Sequence, residues 1–142
     1  MNRPISQVPN VLLIEDSDDD AYFFFRALKK ANLVCQVDHV KDGGEAIRYL
    51  SAVFSAQKPL PDFVFVDLKL PVKSGFEILD WIHAQTQAPA LDIAILSGSD
   101  DEKDRIRAKT YGIVEYFVKP ISIEELINRL SPKQGKDLSI AP

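Results

Sequence analysis

Short apolar segments alternate with longer amphipathic segments along this chain. Five of the short segments are rich in β-branched, aliphatic or aromatic residues and predict β-strands at 11–14, 34–40, 63–66, 93–96 and 114–118. The longer segments place apolar residues three and four positions apart, as in Ala21, Phe24, Phe25 and Leu28, which predicts amphipathic helices. The pattern therefore predicts strands and helices in strict alternation.

The helix starts carry a second signal. A short polar residue at the cap and an acid three positions later can satisfy the free backbone N–H groups of the first turn. Five pairs fit this spacing: Ser17 with Asp20, Asp42 with Glu45, Ser74 with Glu77, Ser99 with Glu102, and Ser122 with Glu125. The fourth predicted helix, at about 100–111, has few apolar positions. We expect it to be the least firmly docked.

The alternation also predicts the sheet. Connections too long for hairpins favour parallel strands with right-handed crossovers and helices on both faces. Polar residues such as Gln36, Asp38 and Glu115 interrupt the second and fifth strands, which makes these the predicted edges. The predicted fold is α/β, doubly wound and flavodoxin-like, with a five-stranded parallel sheet of order 2-1-3-4-5 and five helices. Ligands of such folds bind at the carboxyl ends of the strands.

Length and composition restrict the class of protein. The 142 residues suit one domain, and we predict an N-terminal arm at 1–9, a domain at 10–131 and a C-terminal tail at 132–142. The 17 Lys and Arg against 21 Asp and Glu give a net charge of −4, which argues against DNA as a partner. The single cysteine, Cys35, suits a reducing compartment. Because no apolar run approaches about 18 residues and no signal core precedes the domain, we predict a cytoplasmic protein without a membrane segment.

Polar side chains follow the central strands where each strand ends. Glu15 and Asp16 follow the first strand, Asp67 follows the third, Ser97 the fourth and Lys119 the fifth. Because the carboxyl ends of parallel strands meet at one edge of the sheet, we expect these side chains to converge.

This group of side chains predicts a particular chemistry. Clustered carboxylates repel one another, and Mg²⁺, which prefers oxygen ligands, removes the conflict. Asp67 is then a candidate nucleophile for a phosphoryl group, while the metal and Lys119 compensate the charge of the transferring oxygens and Ser97 donates a hydrogen bond.

Four segments resemble the receiver domains of two-component response regulators. They are Val-Leu-Leu-Ile-Glu-Asp-Ser at 11–17, Asp-Leu-Lys-Leu-Pro-Val-Lys-Ser-Gly at 67–75, Ile-Leu-Ser-Gly-Ser at 95–99 and Tyr-Phe-Val-Lys-Pro at 116–120. The resemblance covers about 10–131. It implies that Asp67 is phosphorylated, that Ser97 and Lys119 bind the phosphoryl group, and that Mg²⁺ has as ligands Glu15, Asp16, Asp67 and the backbone carbonyl of Lys69.

The resemblance also implies a switch and its partners. In the family, a hydroxyl shift at the position of Ser97 accompanies an inward turn of the aromatic residue at the position of Tyr116, and the bond equivalent to Lys119–Pro120 is commonly cis. The expected phosphodonor is a sensor histidine kinase. The segments around 15–20, 27–31 and 41–46 look most like small response regulators that pair with bacterial phytochrome kinases. The output is expected to be a downstream protein or a homodimer, formed on the face of the fourth helix, fifth strand and fifth helix.

Three other functions compete with this interpretation. A phosphohydrolase with an aspartyl nucleophile typically carries a second Asp two residues later, where this chain has Lys69. A flavodoxin requires a phosphate-binding loop after the first strand, where the acids at 15–20 would repel the anion. A degenerate receiver that acts by binding alone remains the alternative, although all five key positions are filled.

Overall fold

The computed structural model describes residues 8–86 and 88–140, with side chains as far as 131. Strands and helices alternate in the order β1 (Asn10–Ile14), α1 (Asp18–Lys30), β2 (Gln36–Val40), α2 (Gly43–Phe54), β3 (Phe63–Val66), α3 (Gly75–His83), β4 (Ile93–Ser97), α4 (Glu102–Thr110), β5 (Tyr116–Val118) and α5 (Ile123–Ile140). All paired strands are parallel, in the order β2-β1-β3-β4-β5. The predicted fold class and strand order are confirmed.

The sheet separates two hydrophobic cores. Successive side chains of a strand point to opposite faces, so Leu13 of β1 packs with Phe24 of α1 and Leu126 of α5. Its neighbour Leu12 packs on the other face with Leu50 of α2, in a cluster that also includes residues of α3 and α4. Helices therefore cover both faces of the central strands.

Both edge strands are shorter than predicted. β2 begins at Gln36 and β5 at Tyr116, whereas Val34 and Val114 are 72% and 82% exposed. Valine is typical of strands, but the pairing of β2 with β1 begins at Gln36, and the pairing of β5 with β4 begins at Tyr116. Neither valine has a partner in these strand pairings, and the predicted starts at 34 and 114 are wrong.

Four of the five predicted caps are confirmed. Backbone N–H groups three residues further on donate to the side chains of Ser17, Asp42, Ser74 and Ser122. The prediction for α4 is wrong, because Asp101 caps it and accepts from the Lys103 N–H at 2.9 Å. Ser99 lies in the loop before this helix, where its carbonyl accepts a hydrogen bond from the Tyr116 hydroxyl.

The predicted chain ends are only partly covered. Residues 1–7 of the predicted arm lie outside the described residues, and Pro9 is buried, with its carbonyl accepting from the Gln36 N–H at 2.9 Å. The predicted tail at 132–142 is helical as far as Ile140, where α5 ends. Proline removes one helical N–H donor, but here the backbone stays helical beyond it. Across the described residues, no helix is long and apolar enough to cross a membrane.

Candidate phosphoacceptor site

The carboxyl edge of the sheet holds three buried polar side chains. Among residues with described burial, Glu15, Asp67 and Ser97 are the buried polar or charged ones, at 1%, 5% and 2% exposure. Backbone hydrogen bonds continue the strand ladders into this edge, from Asp67 to Ile14 at 3.0 Å and from Lys119 to Ser97 at 2.7 Å. The fold therefore brings these four predicted residues to one place, as expected from their positions at strand ends.

Lys119 lies at the centre of the carboxylates. Its Nζ is 2.7 Å from Glu15 Oε1, 2.8 Å from Asp20 Oδ2 and 3.0 Å from Asp67 Oδ2. Burial alone lowers the pKa of a lysine, but the three carboxylates outweigh it and raise the pKa of Lys119 above its usual value. The ammonium therefore stays charged.

Glu15 is the most deeply buried of these carboxylates. Burial, which Lys119 only partly offsets, raises the pKa of Glu15 to about 7, and the charge of Asp67 adds to the increase. Although Lys119 is close, Glu15 Oε1 has no hydrogen bond of good geometry and is shielded from solvent. A buried acceptor without a hydrogen bond is unusual in proteins, and a cation would satisfy it.

The carboxylates have the arrangement of a divalent-cation site. One oxygen each from Glu15, Asp16 and Asp67 lie within 4.8 Å of one another. All three are hard oxygen donors, which suits Mg²⁺ better than Zn²⁺ or copper. Together with the unsatisfied oxygen of Glu15, this donor set fits the predicted Mg²⁺.

Asp16 and Lys69 lie in loops next to Asp67, the candidate phosphoacceptor. Asp16 is exposed in the loop between β1 and α1. The Lys69 side chain is also exposed, and its backbone N–H donates to Asp67 Oδ1 at 3.3 Å. Lys69 thus lies beside the nucleophile as predicted, while the role of its carbonyl as a metal ligand stays a prediction.

Ser97 and Tyr116 are connected through the loop after β4. Ser97 Oγ accepts from the Ser99 N–H at 3.1 Å. The Ser99 carbonyl accepts from the Tyr116 hydroxyl at 2.8 Å, and the Tyr116 ring is half-buried against the core. A shift of the Ser97 hydroxyl would therefore also affect the position of Tyr116, because one short loop connects the two residues.

Helix α4, which follows this loop, contacts the rest of the domain mainly through surface residues. Ala108 is the buried residue of α4, compared with four each in α1, α2 and α3. Two arginines of α4 contact aromatic rings. Arg105 lies 4.5 Å from the centre of the Tyr116 ring, and Arg107 lies 4.2 Å from the centre of the Phe76 ring. The expectation that α4 is the least firmly docked helix agrees with these contacts.

Asp20 is the residue that sequence reasoning missed. We interpreted the run of acids at 18–20 as favourable charge at a helix start, and Asp20 does occupy the third position after the Ser17 cap. Its carboxylate, however, contacts Lys119 across the site. No local signal in the sequence indicates this contact, because Asp20 and Lys119 are 99 residues apart.

Comparison with known proteins agrees with the fold and with this site. The family model described as the response regulator receiver domain matches residues 11–131. The chain belongs to this family. A curated relative is the probable methanogenesis regulatory protein FilR2 of Methanothrix harundinacea, which is 30% identical over 82% of this chain and 75% of its own length. The probable transcriptional regulatory protein TcrX of Mycobacterium tuberculosis is 32% identical over 92% of this chain, which spans only 51% of TcrX.

The chain is also similar to solved structures of response regulators associated with phytochromes. The bacteriophytochrome response regulator RtBRR has a TM-score of 0.75 and 29% identity, covering 88% of this chain and 77% of its own. The phosphorylated cyanobacterial phytochrome response regulator RcpA has a TM-score of 0.73 and 27% identity, covering 96% and 98%. The predicted similarity to phytochrome-associated response regulators is confirmed.

Proposed function

We propose that this protein is a phosphorylation switch in which Asp67 accepts a phosphoryl group in a Mg²⁺-dependent reaction. The observation that carries the proposal is the position of Asp67, buried at the carboxyl edge with Lys119 3.0 Å away and beside the oxygens of Glu15 and Asp16. A lone buried carboxylate would be costly, whereas this one faces an ammonium and a fitting cation site.

The transfer needs no proton from Asp67. A carboxylate oxygen of Asp67 attacks phosphorus while the P–N bond of a phosphohistidine breaks, and the histidine nitrogen keeps the electron pair and takes a proton from solvent. Mg²⁺, held by Glu15, Asp16 and Asp67, would supply positive charge to the phosphoryl oxygens. Lys119 supplies a second positive charge, and Ser97 donates a hydrogen bond. Asp67 is a reactant, so we expect no turnover on external phosphoesters.

The conformational output follows from the weakly docked α4. A phosphoryl group at Asp67 attracts Lys119 and the Ser97 hydroxyl, and the loop through Ser99 passes this movement to Tyr116 and α4. The face formed by α4, β5 and α5 then presents two arrangements to a downstream protein or to a second copy of the chain.

The donor that fits best is a sensor histidine kinase, because the chain belongs to the receiver family. The resemblance to RtBRR and RcpA favours a kinase of the phytochrome type. Such a partner also fits a cytoplasmic location.

Intact mass after incubation with acetyl phosphate tests the proposal. With Mg²⁺ the wild type should gain one phosphoryl group, whereas the wild type with chelator and Asp67→Asn with Mg²⁺ should gain none. Absence of the adduct, together with no binding of Mg²⁺, would contradict the proposal and favour a degenerate receiver that acts by binding alone.

A further inference from the structure

Asp20 is a fourth carboxylate of the site and lies at its mouth. The side chains of Glu15 and Asp67 are 1% and 7% exposed, whereas that of Asp20 is 36% exposed. The hydrogen bond from its backbone N–H to Ser17 Oγ fixes Asp20 in the first turn of α1. Its carboxylate therefore faces Lys119 on one side and the approach from solvent on the other.

Three carboxylates surround the Lys119 ammonium and compensate its positive charge. One oxygen each from Glu15, Asp20 and Asp67 lies within 3.0 Å of Lys119 Nζ and faces its positive charge. A phosphoryl oxygen on Asp67 can reach Lys119 only if one of these contacts gives way. Asp20 is the one whose place water can take, because the other two carboxylates are buried.

We propose that Asp20 is a positioning residue that restrains the phosphorylation of Asp67. It holds the Lys119 ammonium toward α1, and it adds a negative charge where an anionic phosphodonor enters. The inference rests on the proposed function, since it concerns the rate at which Asp67 is phosphorylated. The site would thereby favour a kinase, whose docking brings the donor into place, over small phosphodonors that arrive by diffusion.

The step that Asp20 slows can be followed with acetyl phosphate. A carboxylate oxygen of Asp67 attacks phosphorus, the P–O bond to the acetyl group breaks, and acetate leaves with the electron pair. The donor is an anion, so each negative charge at the mouth opposes its approach. For one charge about 6–12 Å from a dianion in a water-like dielectric, we expect about a three- to tenfold effect on rate.

The test compares initial phosphorylation rates by intact mass, at Mg²⁺ concentrations that saturate the rate. Asp20→Asn keeps an oxygen that can accept from Lys119 but removes the charge, and it should be phosphorylated about three- to tenfold faster than the wild type. Asp20→Glu retains the charge and should stay near the wild-type rate. Asp19→Asn is the matched control, because Asp19 is exposed on the same turn and makes no ion pair among the described side chains. It should change the rate by less than about twofold.

Ionic strength separates electrostatics from altered structure. Screening acts over about 10 Å at 0.1 M salt but only about 3 Å at 1 M, so the ratio of Asp20→Asn to wild type should fall toward one in 1 M KCl. Equal or slower phosphorylation of Asp20→Asn, or a ratio that persists in 1 M KCl, would overturn the inference while leaving the proposed function intact. Absence of any adduct on the wild type would instead refute the proposed function.

Discussion

Gly75 provides a sharp test of how α3 supports the phosphoacceptor. A Cβ atom at this position would lie 2.3 Å from the carbonyl oxygen of Asp67 and 2.8 Å from Leu68 Cα. Both atoms belong to the backbone and cannot rotate away. The Gly75 N–H also donates to the Leu68 carbonyl at 2.9 Å, so the helix start and the segment after β3 are joined at this contact.

We expect Gly75→Ala to lower the free energy of unfolding by about 3 kcal/mol. Overpacking in protein interiors costs about 1–3 kcal/mol, and a clash with rigid backbone belongs at the upper end of that range. For a domain of this size, about 3 kcal/mol corresponds to a decrease in Tm of roughly 10 °C. The substitution must also displace Asp67, and a displacement of about 1 Å can slow a reaction about 100-fold.

Urea denaturation followed by circular dichroism measures the first effect, and the rate of acetyl phosphate labelling measures the second. Gly98→Ala is the control for stability, because an added Cβ there has no atom within 4 Å, and it should change the free energy of unfolding by less than about 0.5 kcal/mol. A loss below about 1 kcal/mol in Gly75→Ala would refute the close contact between α3 and the acceptor strand.

Three further predictions concern stability and are measured by the same denaturation experiment. Ser74→Ala removes a reciprocal capping box and should cost about 1 kcal/mol, whereas Ser99→Ala should cost less than about 0.5 kcal/mol; equal losses would contradict the assigned caps. Leu126→Ala, at a side chain with 0% exposure, should cost about 2–5 kcal/mol, and a similar loss in Ile127→Ala, 37% exposed, would contradict the assignment of the buried face of α5. Val72 is 75% exposed with φ at 71°, so Val72→Asn should stabilise the protein by about 1 kcal/mol; no gain would show that this loop is unstrained.

The predictable part of the site comes from the parallel sheet. Once the strands are predicted, the residues at their carboxyl ends can be read directly from the sequence. Asp67, Ser97 and Lys119 could be identified in this way. Each lies within one residue of a strand end, where the backbone leaves little freedom. The sheet order could be predicted in the same way, because polar residues mark the edge strands.

The parts that sequence reasoning missed depend on contacts between elements. Asp20 satisfies a capping pattern by itself, so nothing local indicates that its carboxylate contacts Lys119, which is 99 residues away. Ser99 fits the same pattern, but Asp101 is nearer to the start of α4 and caps it. Val114 has the propensity of a strand residue, yet no strand pairs with it. In each case a local preference existed, but a competing cap or the contacts of a neighbouring element decided the outcome.

The position of the phosphoryl group tests the central claim most directly. Borohydride reduces an aspartyl phosphate to homoserine, and peptide mass mapping then locates the converted residue. After treatment with acetyl phosphate and Mg²⁺, we predict homoserine at position 67 and aspartate unchanged at 16 and 20. Conversion at Asp16 or Asp20, or phosphorylation at a histidine or serine that borohydride leaves intact, would contradict the assignment of Asp67 as the acceptor.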